Sequence, residues 1–318
     1  MRRGAQHTAA GHSRHETVGR IEKLGQGLKS DWRGRPLAVG DRVTWASSIV
    51  CGQCHYCRLK GQPTRCVARK AYGISYCADE APHLRGGYAQ FILLRAESAI
   101  FRIPDAVPTD SVIGAGCALT TVLHGLERAT VALGDVVVIQ GTGPVGLAAV
   151  AVSLQSGASR VVVIGAPERR LRLATEFGAA ATISVEDVTD AAARRDLVAE
   201  EVGPYGADVV IECVGRPQAV PEGWELCRDG GKYLVLGQYA NAGEVMVNPH
   251  TITRKQLQIF GSWGFEPRHV DKALVLLENP HWQQRFASEI THRYPLTQAS
   301  EAVENARQAR GGKTVLVL

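Results

Sequence analysis

Asp135-Val-Val-Val-Ile-Gln-Gly-Thr-Gly-Pro-Val-Gly146 decides the fold of this chain. Val136 to Ile139 is an unbroken apolar run of strand-forming residues, which suits a parallel strand buried on both faces. Gly141, Gly143 and Gly146 follow at the G-x-G-x-x-G spacing, and Pro144 and Val145 open an Ala- and Val-rich helical run that stops at Gly157. Proline is well tolerated in a first helical turn, where its missing N–H would be unpaired anyway. Strand, glycine turn and helix come in the order a dinucleotide site needs. Gly141 permits the tight turn, Gly143 lets the backbone approach a pyrophosphate, and Gly146 allows helix and strand to pack closely. The N–H groups at the helix start then face the phosphates. A second strand, Val161 to Ile164, arrives one helix later and supports a cofactor site over a glycine turn that merely packs.

Working outward, strand and helix alternate. Val136–Gln140, Arg160–Ile164, Ala181–Ser184, Asp208–Cys213, Lys232–Leu236 and Leu257–Gly261 read as strands. Helical runs lie between them, among them Pro167–Phe177, Val188–Glu201 and Pro217–Cys227. Six strands with intervening helices predict an α/β fold with a doubly wound parallel Rossmann sheet. Ligands bind such sheets at the strand C-termini, which puts Cys213, Val214 and Gly215 after one strand, and Gly237 and Gln238 after the next, in the cofactor site. Upstream, Val18 to Ile21 is strand-like, Gly40-Asp41 is a turn, Gly86–Phe91 and Ile92–Phe101 read as strands, and Val112–Thr130 as a helix. Beyond Gly264 come a helix from Arg268 to Leu277 and a terminal strand after Gly312. The expected division is residues 1–117, 118–263 for the dinucleotide domain, and 264–318 returning to the first domain.

The chain has 318 residues, 45% hydrophobic and 21% charged, ordinary values for a globular protein of about two domains. Its net charge of +5 is scattered, which argues for a solvated surface and against nucleic-acid binding. No apolar run has membrane-spanning length, and no signal-peptide core opens the chain. A cytoplasmic location is expected, and the 8 cysteines are then not disulfides.

Cys51, Cys54, Cys57 and Cys66 stand in Cys-Gly-Gln-Cys-His-Tyr-Cys-Arg-Leu-Lys-Gly-Gln-Pro-Thr-Arg-Cys. Four thiolates this close can wrap one tetrahedral zinc, leaving no open position, so the ion would be structural. A reduced, unliganded loop and an iron–sulfur cluster are the alternatives.

These features together resemble the zinc-dependent medium-chain alcohol dehydrogenase family. The matching pieces are His15-Glu16 followed by Gly19, Gly40-Asp41-Arg42-Val43, the cysteine lobe, Gly86-Gly87-Tyr88-Ala89, Gly116-Cys117, the glycine turn and Gly312-Lys313. The resemblance implies a GroES-like β-rich catalytic domain, partial here, with the Rossmann domain inserted in it. It makes His15 and Cys117 ligands of a catalytic zinc, puts Glu16 close to that metal, and sends Lys313 to the cofactor pyrophosphate. Zinc would hold and acidify an alcohol, whose hydride passes to a nicotinamide ring. The implied partners are a small alcohol or polyol and further copies of the chain, as a dimer or tetramer, with Leu257–Gly261 as the candidate joining strand.

Two departures from the family pattern stand out. The step from Cys57 to Cys66 is one residue longer than the common form, which asks for a small bulge. The family's opening segment, with the first catalytic-zinc Cys, has no counterpart, since no Cys precedes Cys51; His12 is a distant substitute. A second reading is therefore a truncated, non-catalytic nucleotide-binding member that keeps the fold and the structural zinc, with poor alcohol oxidation expected of this chain. The cofactor is NAD or NADP. Gly165 stands where an acidic residue would hold the ribose hydroxyls, and Arg169 and Arg170 follow it, which tilts the choice to NADP against a competing Glu168.

Overall fold

The computed structural model describes residues 15–76, 81–308 and 312–318. The chain divides into two compact units, Met1–Gly116 with Glu266–Leu318, and Cys117–Phe265.

The first unit begins with β1 (Gly19–Arg20), β2 (Arg42–Trp45), β3 (Ser48–Ile49), β4 (Lys70–Ala71) and β5 (Ile100–Arg102). β1, β2 and β5 form a small antiparallel sheet, and β3 pairs with β4 to close the base of the cysteine lobe. Leu37, Val43, Trp45, Ile49, Tyr72 and Ile100 make its core. The strand expected over Gly86–Phe91 is absent, and of Ile92–Phe101 only the last two residues pair. Ile92 and Leu94 instead pack against the core from irregular chain. Apolar alternation marks a half-buried surface, and without a partner strand it does not make a ladder.

α1 (Thr109–Arg128) is broken at Gly116, whose φ of +45° and ψ of −144° interrupt the helix. Only glycine tolerates that conformation and the space, because a Cβ there would clash with Glu16 Oε1 and Lys313 Nζ.

The second unit then runs β6 (Val136–Gln140), α2 (Pro144–Gln155), β7 (Arg160–Gly165), α3 (Glu168–Glu176), β8 (Ala181–Ser184), α4 (Ala191–Val202), β9 (Ala207–Glu212), α5 (Ala219–Leu226), β10 (Cys227–Val235), α6 (Pro249–Lys255) and β11 (Gln258–Gly261). The sheet order is β11-β10-β9-β6-β7-β8, and every pairing in it is parallel. Val137 to Ile139, Val161 to Val163 and Val209 to Ile211 are fully buried, as strands covered by helices on both faces must be. Successive strands leave β6 first on one side and then on the other. This reversal between β6 and β9 is the topological switch point, where doubly wound sheets bind ligands. β10 begins at Cys227, earlier than expected, because a register shift between Cys227 and Lys232 takes Asp229, Gly230 and Gly231 into the strand. The first unit is completed by α7 (Pro267–Leu276), α8 (Pro280–Ser288), β12 (Ile290–Pro295), α9 (Ala299–Gln308) and β13 (Lys313–Val317), with β12 and β13 paired in parallel.

Candidate functional site

The glycine turn after β6 has the geometry its sequence asks for. Gly141 lies at φ +109°, and a Cβ on it would come 3.0 Å from the Cys213 carbonyl. Gly143 is the N-cap of α2, with Pro144 in the first helical position and no side chain capping the helix. A Cβ on Gly146 would clash with the Gly141 carbonyl oxygen, so the helix packs on the turn only through glycine. The result is an uncapped helix N-terminus with bare backbone around it, a cradle suited to a pyrophosphate.

The end of β7 adds a constraint the sequence did not show. A Cβ on Gly165 would clash with Thr142 Cγ2 and lie 2.9 Å from its hydroxyl, which donates to the Ala166 carbonyl at 2.8 Å. Thr142 thus fills the space a ribose-binding carboxylate would leave from. Of the two arginines, Arg169 is exposed, while Arg170 Nη1 would lie 3.5 Å from a Cβ on Gly143. Glu168 pairs with Arg172 at 3.3 Å on the exposed side of α3.

After β9 and β10, Cys213, Val214, Gly215, Gly237 and Gln238 form two turns. Gln238 Nε2 is buried without a hydrogen-bond partner among the described residues, a donor available to a ligand. Burial holds the Cys213 thiol well above its ordinary value, so it stays protonated. The residue that organises both turns is Glu212, which sequence reasoning missed. It is 0% exposed, and its carboxylate accepts the N–H groups of Val214 at 2.7 Å, Gly215 at 2.6 Å and Gly237 at 3.1 Å.

In the first unit, Cys51, Cys54, Cys57 and Cys66 each offer a sulfur, all within 4.8 Å of one another. The 3.5 Å between Cys51 and Cys66 sulfurs approaches the ~3.8 Å edge of a tetrahedron with Zn–S of ~2.3 Å. Backbone N–H groups of Gln53 and Cys54 lower the Cys51 thiol, and those of Cys57 and Val67 hold Cys54 down to about 6. Burial and the neighbouring thiols push Cys57 up to about 12, the crowding that a bound cation relieves. His55–Leu59 forms a π-helical turn in which Lys60 N–H bonds to the His55 carbonyl at 3.1 Å. Such a turn holds one residue more than an α-turn, and it absorbs the longer spacing in the lobe.

A second donor group lies at the break in α1. Glu16 pairs with Lys313 at 3.0 Å, both against Gly116. Cys117 heads the second unit but is peptide-bonded to Gly116. His15, Glu16 and Cys117 each bring one ligand atom, all within 4.8 Å of one another. Nitrogen, oxygen and sulfur donors in a group of three suit a zinc that keeps a position open. Lys313 reaches the same break in the helix. Its ammonium has three donors. They go to Glu16, to the Ile113 carbonyl at 2.8 Å and to the Gly114 carbonyl at 2.9 Å, where they cap the broken helix turn. His12 lies outside the described residues.

Comparison with known proteins agrees with both halves. Residues 4–105 match the alcohol dehydrogenase GroES-like domain, and residues 144–279 match the zinc-binding dehydrogenase domain. The chain belongs to the zinc-dependent medium-chain alcohol dehydrogenase family. This dehydrogenase is similar to 5-exo-hydroxycamphor dehydrogenase of Pseudomonas putida, with 37% identity over 91% of this chain and 79% of that protein. It is also similar to sorbitol dehydrogenase of Halalkalibacterium halodurans, with 30% identity over 95% of this chain and 82% of that one. Among solved structures, an alcohol dehydrogenase of Thermotoga maritima superposes with a TM-score of 0.90 at 33% identity, over 95% of this chain and 82% of that chain. The chain is accordingly a zinc-dependent oxidoreductase that uses NAD or NADP, and the relatives give no support to a non-catalytic reading. No helix among the described residues is long and apolar enough to cross a membrane.

Proposed function

We propose that this dehydrogenase oxidises an alcohol or polyol with NADP as preferred hydride acceptor, using one zinc for structure and one for catalysis. The observation that carries the reading is the pair of separate donor groups, one a closed set of four thiols and one a mixed set of three. Zinc bound by the second set would supply a Lewis acid that acidifies a hydroxyl. His15 and Cys117 provide its neutral and anionic donors. Glu16 adds negative charge, which the Lys313 ammonium balances and holds in place. The dinucleotide lies on Gly141, Gly143, Pro144, Val145 and Gly146. Gly165 and Arg170 favour a 2′-phosphate, since no carboxylate repels it and a guanidinium can pair with it. The described cysteines are unbridged, in keeping with a reducing cytoplasm. The exposed edge strand β11 is the surface through which copies join.

The test is zinc analysis and turnover of three proteins with a panel of alcohols and polyols. The unaltered chain should hold two zinc ions and turn over. His15→Ala should keep one zinc and its cooperative melt but lose activity. Cys54→Ser should lose zinc from the lobe and melt lower, because a structural zinc contributes directly to folding. Full activity of His15→Ala would sink the proposal.

A further inference from the structure

Glu212 ends β9 with no surface exposed to solvent. A carboxylate in that position is costly unless both oxygens find donors. Oε1 takes the N–H groups of Val214 and Gly215, and Oε2 takes that of Gly237. Burial pushes the carboxyl up, and these backbone N–H groups pull it back only in part.

The donors come from two different turns, one after β9 and one after β10. The turns are pressed together with no room for side chains between them. Gly215 sits at φ +76°, and a Cβ on it would come 2.6 Å from the Gly237 carbonyl oxygen. A Cβ on Gly237 would come 2.6 Å from Glu212 Oε1. The first turn also abuts the glycine turn, since a Cβ on Gly141 would lie 3.1 Å from the Val214 nitrogen. One buried side chain therefore fixes the backbone on the β9 and β10 side of the switch point.

We propose that Glu212 is a positioning residue for the nicotinamide half of the dinucleotide, acting through these two turns without touching the cofactor. The inference rests on the dinucleotide site proposed above. In a doubly wound sheet the dinucleotide straddles the switch point, one mononucleotide half on each side. The ribose of the adenosine half belongs at the end of the second strand, here β7, so the other half lies over β9 and β10. An ionised carboxylate is acceptor-only, whereas a carboxamide would set an NH₂ against one of the backbone N–H groups.

The experiment compares intact NADPH with its adenosine fragment 2′,5′-ADP, and NADH with ADP, by fluorescence titration and calorimetry, in the unaltered protein and in Glu212→Gln. The variant should lose about tenfold or more in affinity for the intact dinucleotide, as for a charged hydrogen-bond acceptor removed. Its affinity for the fragment should stay within about twofold. Equal losses for both ligands would overturn the proposal, because they mark a general loosening of the fold. Unchanged affinity for both would overturn it too. If Glu212→Gln does not melt cooperatively, Glu212→Asp, which keeps the charge but withdraws the oxygens, is read in the same way. Failure of both to fold would assign Glu212 to the core and end the proposal. An unaltered protein that binds neither dinucleotide nor fragment would instead remove the site itself.

Discussion

Gly165 shows how one residue can answer to two causes. Its sequence position suggests a missing carboxylate, and its surroundings give a packing reason, because Thr142 already occupies the space beside it. Cofactor choice therefore belongs to the pair. Gly165→Asp alone should weaken the use of both NADP and NAD, since the new side chain meets Thr142 before it reaches a ribose. Joined to Thr142→Ala, the aspartate gains room to accept the ribose hydroxyls and repels a 2′-phosphate. The ratio of kcat/KM for NAD over NADP should then rise by about tenfold or more over the unaltered chain. Undiminished NADP use by the single variant would show that Thr142 does not close the site. Arg170 makes the complementary point, because only geometry separates it from Arg169, its neighbour in sequence.

At the scale of elements, the second unit was largely legible. Val136–Gln140 and Ala181–Ser184 form strands over the stretches expected, and the remaining strands of that sheet overlap theirs. Parallel strands buried on both faces write themselves as unbroken apolar runs, and a short run leaves little freedom in its ends. The first unit was less legible because its short strands depend on partners far along the chain. The same holds for the site. Glycine spacing and thiol spacing are local and can be read, whereas Thr142, Glu212 and the partners of Lys313 owe their places to contacts that no window of sequence contains. Asp208 is another such residue. Its carboxylate takes the Val136 N–H at 2.8 Å and the Arg228 guanidinium at 2.6 Å, pinning the start of β9 to the start of β6. Burial works to raise its carboxyl, but the Val136 N–H and Arg228 outweigh it and hold it below the usual range. A carboxyl depressed in the folded state adds stability above its unfolded value of about 3.9, and that stability is lost as pH falls through the folded value. Asp208→Asn should therefore cost about 1 kcal/mol at pH 7, discounted for partial exposure of the pair. The difference from the unaltered chain should shrink below about pH 4 in urea unfolding at stepped pH. A deficit that stays constant into acid would show that the charge of Asp208 is not what stabilises the join.

The six-stranded sheet ends in β11 on one side and in β8 on the other. β8 at the far side of the sheet is mostly half-buried. β11 reads Gln258-Ile259-Phe260-Gly261, carries no charge, and leaves Ile259 40% exposed. Trp263 just beyond it is 46% exposed and meets the exposed Tyr239 edge-on at 5.4 Å. Proteins guard a free edge with lysine, proline or a bulge, and β11 has none of these. An uncharged edge with aromatic neighbours is the surface expected of a strand that pairs with a second copy. Two β11 strands related by a two-fold axis would satisfy each other's open N–H and carbonyl groups in an isologous contact. Ile259→Lys places a charge on that contact and repeats it twice at the axis, while the charge of a lone chain stays solvated. The unaltered protein should sediment at twice its 34.2 kDa or at a higher multiple, and the variant should shift toward the single-chain mass. Zinc content and dinucleotide affinity should be retained, since neither donor group nor the glycine turn lies on β11. A variant that keeps the full assembly mass would place the interface elsewhere, and one that loses zinc or dinucleotide along with mass would make assembly a condition of the fold.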